Sequence, residues 1–242
     1  MNPERLALLS ASPLFRHIAA DEIGEIAGQG REARIRSRAI LFREGEPAAA
    51  LHLVLEGRVT LKQGAAGGQE VMVRLAGPGE ILAAVAALAE SSYPATARAV
   101  EPALVLLWPR DLLHDLLLRH PELAVNAIGI LAARIRELQE RFLELATERV
   151  AQRIARALVR LARQTGRRVP DGVLIDVRLS RQDLAEMTGT TLFTVSRTLS
   201  EWQGLGIVRS RGGRIVVASP HALVAIAEGL DEERPRSRSP RS

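Results

Sequence analysis

The chain has no cysteine and few aromatic residues: two tryptophans, one tyrosine and four phenylalanines in 242 residues. Without cysteine there are no disulfides, no thiolate metal sites, no cysteine-ligated iron–sulfur cluster and no catalytic thiol. Long apolar runs are also missing. Charges interrupt every window, and no run approaches the roughly 20 residues of a membrane-spanning helix. The first ten residues include Glu4 and lack a signal-peptide pattern, so a reducing cytoplasm is the expected compartment. Lysine is nearly absent, with one among 33 basic residues. Hydrophobic residues make up 47% of the chain and charged residues 25%, a globular balance with enough length for two ordinary domains.

Charge is unevenly distributed. Residues 1–120 carry 13 basic and 14 acidic side chains, whereas residues 121–242 carry 20 and 14. Within residues 148–219 the balance is 13 to 6. A neutral front half and a basic back half point to a polyanion partner for the back half alone. An arginine-rich background composition is the plainer alternative.

The front half reads as short strands punctuated by glycine. Alternation is clear at residues 51–57, 58–62 and 71–75, with further strands at 97–99 and 103–107. Turn signals sit at Gly45, Gly57, residues 64–68 and Gly77-Pro78-Gly79. This pattern predicts a small sandwich or barrel. Short helices are expected before it at 3–9 and 20–27, and another at the alanine-rich 81–90. No glycine-rich phosphate loop of the G-x-G-x-x-G or G-x-x-x-x-G-K-[ST] type follows any strand.

From residue 121 to about 147 the period becomes helical. Ala124, Ile128, Leu131, Ile135, Leu138, Phe142 and Leu145 are spaced in alternating steps of four and three. That spacing describes a coiled-coil seam about three heptads long, suited to a parallel homodimer. A helix lying on its own domain would be the alternative. A hinge is expected near residues 147–149.

The back half holds a local pattern with a mechanism. Another amphipathic helix fits 150–164, with Ile154, Leu158 and Leu161 on one face, and a strand fits 173–177. Ser180 with Asp183 forms a capping box for a following helix. Ala185 is small enough for two helices to cross closely, and Gly189 can adopt the left-handed backbone that ends the first. Thr191 can cap a second helix whose buried face is Val195, Leu199 and Trp202. This is the spacing of a DNA-binding helix-turn-helix. A helical hairpin of an enzyme could imitate single features of it. Residues 207–217, turning at Gly212-Gly213, predict a two-stranded wing bearing Arg209, Arg211 and Arg214.

Taken together, these segments resemble the Crp/Fnr family of transcriptional regulators over about residues 12–228. The hairpin stretches 42–47 and 53–57 resemble those of the family's β-roll. The implied fold is α+β: an N-terminal cyclic-nucleotide-binding-type β-roll (12–120), a long coiled-coil dimerisation helix (121–146) and a C-terminal winged helix-turn-helix (147–220). A disordered tail is expected at 231–242. The resemblance implies a homodimer on a palindromic double-stranded DNA site, RNA polymerase as a partner, a small-molecule effector and no catalysis. The alternative is an effector-binding module whose helix-turn-helix contacts protein.

For the DNA interface the resemblance implies Arg181 and Gln182 on the phosphate backbone. It places Thr191, Leu192, Phe193, Ser196 and Arg197 at or in the groove, with Arg197 the candidate for bidentate guanine contact. Phe193 could instead pack under the wing. The implied effector pocket comprises Gly79, Glu80, Ala84, Tyr93, Pro94, Leu138 and Gln139. Cyclic-AMP-binding members have a glutamate where Ala84 stands, an Arg-Ser pair where Tyr93-Pro94 stand, and hydroxyls where Leu138 and Gln139 stand. These departures argue against cyclic AMP, and Ile81, Leu82, Val85 and Leu88 make an apolar site the expectation.

Tyr93 to Ala97 and the 179–202 segment look most like the nitrogen-oxide-responsive (Dnr/Nnr-like) branch, some of whose members are haem proteins. Haem is therefore the cofactor considered. No histidine pair has metal-ligand spacing. His52 is expected to face outward from its strand, His114 and His120 to lie on the surface, and His17 to be the one histidine worth testing as a haem ligand.

Overall fold

The computed structural model describes residues 2–65, 70–89 and 91–230, with Val85 and Leu88 by backbone alone. The expected tail at 231–242 lies outside the described residues, as does part of the turn at 64–68. The chain divides into two compact units, residues 1–139 and 140–242.

The first unit opens with α1 (Pro3–Ala11), a 3-10 turn (Pro13–Phe15) and α2 (Ala20–Gly28). Eight strands follow: β1 (Arg31–Ile35), β2 (Ile40–Phe42), β3 (Ala50–Glu56), β4 (Val59–Gly64), β5 (Glu70–Ala76), β6 (Ile81–Leu82), β7 (Thr96–Ala99) and β8 (Ala103–Pro109). Helix α3 (Ala84–Leu88) lies between β6 and β7, and α4 (Arg110–Arg119) follows β8. The strands form two antiparallel four-stranded sheets, ordered β1-β8-β3-β6 and β2-β7-β4-β5. The N-terminal strand and helix readings hold, while β1, β2 and α4 were not anticipated. Strand β1, Arg-Glu-Ala-Arg-Ile, carries too few apolar residues for the alternation rule to find it. The helix expected at 81–90 begins later, because Ile81 and Leu82 pair with β3 and Ala83 turns the chain at φ +64°.

Two cores result. Leu51, Leu53, Leu55, Leu106 and Trp108 cluster with Leu9 of α1, Phe15 of the 3-10 turn, Ile26 of α2 and Leu116 of α4. Phe42, Val54, Val59, Tyr93 and a set of alanines (Ala76, Ala97, Ala99, Ala103) fill the other, between the sheets. Alanine-rich packing brings the sheets close with few aromatics, as the composition requires. Because β3 is covered on both faces, its alternation does not mark a wet side. His52 is thus buried, tilted against Phe42 at a ring separation of 5.2 Å, which corrects the outward placement. Burial pushes its pKa down from 6.5 to about 4. His120 is also buried, paired through Nδ1 with Glu22 rather than left on the surface. His114 is exposed as expected, and His17 is exposed.

Helix α5 (Pro121–Thr147) follows, with the predicted bounds, and the division between units falls within it. The second unit continues with α6 (Val150–Thr165), β9 (Gly166–Val169), β10 (Gly172–Ile175), α7 (Arg181–Thr188), α8 (Leu192–Gly204), β11 (Val208–Arg211), β12 (Arg214–Val217) and α9 (Pro220–Glu228). Its sheet is ordered β11-β12-β10-β9, so the wing is extended by a second hairpin. Ile154, Leu158, Leu161, Leu184, Val195, Leu199, Trp202, Val216 and Leu223 form its core. Among the described residues no single helix is long and apolar enough to cross a membrane.

Candidate nucleic-acid interface and effector site

Helix α7 starts where the sequence says it should. The Ser180 hydroxyl accepts from Asp183 N–H at 3.0 Å, and the Asp183 carboxylate accepts from Ser180 N–H at 2.8 Å. Gly189 ends the helix at φ +59°, returning its N–H to the Ala185 carbonyl. Ala185 is buried at the crossing. After a two-residue turn, Thr191 caps α8 by accepting from Thr194 N–H at 3.2 Å.

These local choices decide which face of α8 is free. Val195, Leu199 and Trp202 are buried, while Leu192 and Phe193 are 48% and 73% exposed. Arg197 is exposed and Ser196 half-buried on the same helix. Phe193 therefore does not pack under the wing. Arg181 and Gln182 are exposed in the first turn of α7.

The wing arginines are in part already engaged. Arg209 and Arg211 each lie 3.7 Å from Asp171 in the β9–β10 turn, and Arg214 lies 3.1 Å from Asp176. A further group escaped the sequence reading. The Arg153 guanidinium on α6 donates to the carbonyls of Glu148 (2.8 Å) and Thr188 (3.0 Å). It thereby satisfies orphan acceptors at the ends of α5 and α7. No sequence rule marks an arginine for that task.

In the first unit the predicted effector residues part company. Gly79 turns the chain at φ +84°, with its carbonyl accepting from the Ser12 hydroxyl. Glu80 is the centre of an ionic network. One carboxylate oxygen accepts from Arg74 and from Arg134 of α5, each at 2.7 Å, and the other accepts from Gly77 N–H at 2.9 Å. Arg134 also pairs with Glu137 at 2.7 Å. Burial would raise the Glu80 pKa, but the Arg74 charge and these hydrogen bonds hold it below the ordinary carboxylate value. Burial, opposed by Glu80, pushes the Arg74 guanidinium down.

Tyr93 is part of the core. It is buried, stacked on Phe42 at 4.0 Å, and its hydroxyl accepts from the N–H groups of Ala49 and Ala50. Pro94, Leu138 and Gln139 are exposed. Ala84 borders a small apolar cavity of about 20 Å³ beside Phe15, Trp108, Leu123 and Ala127. The uniformly apolar site expected from Ile81 and Leu82 is thus corrected. Both are buried in the cores, the side chains of Val85 and Leu88 lie outside the description, and the polar Arg74–Glu80–Arg134 network faces α5.

Helix α5 buries only Leu123 among its described residues. Its seam is open on the single chain: Ile128 is 67% exposed, Ile135 49%, Leu138 59% and Phe142 70%, with Leu131 and Leu145 also exposed. The alternative, a helix lying seam-down on its own domain, does not describe this chain.

Comparison with known proteins agrees with this architecture. Residues 32–120 match the family model "Cyclic nucleotide-binding domain", and residues 152–226 match "Crp-like helix-turn-helix domain". The chain is 33% identical over 222 residues to the "Cyclic AMP receptor protein" of Thermus thermophilus, covering 92% of this chain and 100% of that one. It is 30% identical over 192 residues to the "Global nitrogen regulator" of Synechococcus elongatus, covering 78% and 85% respectively. Among solved structures, FixK2 from Bradyrhizobium japonicum has the same fold, with a TM-score of 0.72 at 24% identity over 81% of this chain and 96% of that one. The chain belongs to the Crp/Fnr family of transcriptional regulators, with a cyclic-nucleotide-binding domain followed by a DNA-binding helix-turn-helix.

Proposed function

We propose that this chain regulates transcription as a homodimer that reads a palindromic operator with paired α8 helices. The apolar stripe of Ile128, Leu131, Ile135, Leu138, Phe142 and Leu145 would be buried against a twin chain. The observation that carries the reading is the orientation of α8: capped at Thr191, buried through Val195, Leu199 and Trp202, and presenting Leu192, Phe193 and Arg197 outward. An arginine there suits bidentate contact with guanine, while Leu192 and Phe193 suit a thymine methyl. Arg181, Gln182 and the wing arginines suit phosphates. RNA polymerase is the partner that a transcriptional regulator of this kind would engage, from a cytoplasmic location.

For the effector, our reading is that cyclic AMP does not bind. Ala84 and Pro94 supply neither a carboxylate nor a hydroxyl, the Tyr93 hydroxyl is taken by Ala49 and Ala50 N–H, and Arg74 and Arg134 are already paired with Glu80 and Glu137. A phosphate would have to displace Glu80 from two guanidiniums. The name of the Thermus thermophilus relative favours the second reading, a cyclic-AMP receptor, and calorimetry with cyclic AMP separates the two.

The nitrogen-oxide-responsive reading rests on the Tyr93–Ala97 motif and the 179–202 segment. The described residues do not fit a haem: the apolar cavity beside Ala84 is far too small, and His17, the histidine considered as its ligand, is exposed.

Fluorescence anisotropy tests the DNA reading, with a mixed-sequence duplex titrated by the wild type and by Arg197→Ala. Salt-sensitive binding weakened by the substitution is expected. Absence of binding by the wild type would favour a helix-turn-helix that contacts protein.

A further inference from the structure

The wing carries more charge than its hairpin accommodates alone. Arg211 and Arg214 stand directly opposite one another across β11 and β12, and Arg209, two residues from Arg211, shares their face. Like charges directly opposite in a ladder repel. Two carboxylates from the neighbouring hairpin answer them. Asp171 lies 3.7 Å from both Arg209 and Arg211, and Asp176 lies 3.1 Å from Arg214 and 3.8 Å from Arg167.

Their placement is built into the sheet. Gly172 takes φ +135°, and a Cβ there would meet the Val217 carbonyl at 2.1 Å, so the β9–β10 turn presses directly on β12. Asp176 is held by its N–H to the Thr165 carbonyl at 3.0 Å. The pairs themselves are loose. Arg209 and Arg211 remain about 60% exposed, and pairs of this kind exchange partners readily.

We propose that Asp171, with Asp176, acts as an internal counter-ion that competes with DNA phosphate for the wing arginines and limits affinity for non-operator DNA. The inference rests on the reading that the wing meets DNA. A phosphate must displace a carboxylate before it gains the arginine, so sequence-independent attraction is blunted. Contacts from α8 bear none of this competition, so they carry a larger share of the binding free energy, while the competition itself acts alike on all sequences.

The test is binding of the full chain to a mixed-sequence 30-base-pair duplex at about 0.1 M salt. Asp171→Asn should tighten binding by about fivefold per dimer, a size set by two weak pairs per protomer. Asp176→Asn should act in the same direction through Arg214. Glu228→Gln on α9 makes the same change in net charge away from the wing and should do far less. In an Arg209→Ala/Arg211→Ala background, the gain from Asp171→Asn should vanish.

Thermal unfolding separates this role from a structural one. Removing the carboxylate should lower stability slightly while raising affinity, two changes that a purely structural role would not combine. An unchanged affinity, or a gain matched by Glu228→Gln, or one that persists without the two arginines, overturns the proposal. A wild type that fails to bind the duplex at low salt overturns the DNA reading itself instead.

Discussion

The two units handle charge in opposite ways. In the first, Arg74, Glu80, Arg134 and Glu137 turn toward one another between the sheet edge and α5 and pair among themselves. In the second, Arg181, Arg197, Arg209 and Arg211 stay exposed, with only loose carboxylate partners at the wing. One family scaffold thus carries an ionic site closed by its own residues and a basic face left open. A closed ion pair is hard for an anion to enter, because a newcomer must replace contacts that are already made. An open arginine needs only water and salt ions removed.

Helix α5 crosses the division between the units, and breaking it should have the largest effect. Ile135→Glu would place a charge in the seam of a dimer. An unpaired buried ion costs about 3–5 kcal/mol, enough to dissociate many dimers. Sedimentation velocity should show monomers, and circular dichroism should stay unchanged, because Ile135 is half exposed on the single chain. An intact dimer would remove the seam from the assembly.

Glycine substitutions sharpen the comparison between the units. At Gly57, φ +76°, a Cβ would meet the Pro102 carbonyl at 2.4 Å, so backbone must move. At Gly189, φ +59°, the nearest atom is the end of the Leu145 side chain at 2.9 Å, which can swing aside. Gly189→Ala should therefore cost about 1–2 kcal/mol from the left-handed backbone alone. Gly57→Ala should cost more, about 3 kcal/mol or above. Urea unfolding of the two variants checks the order.

Acid should weaken the first unit in a defined window. The folded chain releases the His52 proton at about 4 rather than 6.5. Between those values the unfolded chain holds the extra proton, so protonation favours unfolding. The full contribution is present above pH 6.5 and falls by about 3 kcal/mol as the pH drops to 4. His52→Leu should flatten that limb of the stability profile. A slope unchanged by the substitution would mean that another group drives it.

The smallest effects belong to the DNA face. Arg197→Ala should cost about 1–3 kcal/mol per half-site and relax the preference at one base pair. Arg209→Ala should cost less and act alike on all sequences. Competition assays with single-base variants would distinguish them. Equal losses with no change in preference would make Arg197 a phosphate contact.

How much was legible beforehand follows from the reach of each interaction. The helix-turn-helix was readable because its determinants lie within a few residues of one another: Ser180 and Asp183, Ala185 and Gly189, Thr191 and Thr194. The exposed apolar stripe of α5 was readable for the same reason, as a period along one helix. The Glu80 network was not, since Arg134 stands 54 residues from its partner and nothing near either marks the pairing. His52 was misread because alternation shows that a strand has two faces without showing that both are covered. Tyr93 was assigned by its place in a family motif, yet its ring completes an alanine-rich core beside Phe42.

The most direct measurement is selection of bound duplexes from a random-sequence pool by the purified chain. Two α8 helices related by a two-fold axis should recover an inverted repeat. Its half-site centres should lie about 10 base pairs, or a multiple of that, apart. Ile135→Glu should fail to enrich it. A pool that stays random, or converges on one unrepeated site, would contradict a homodimeric reader of DNA.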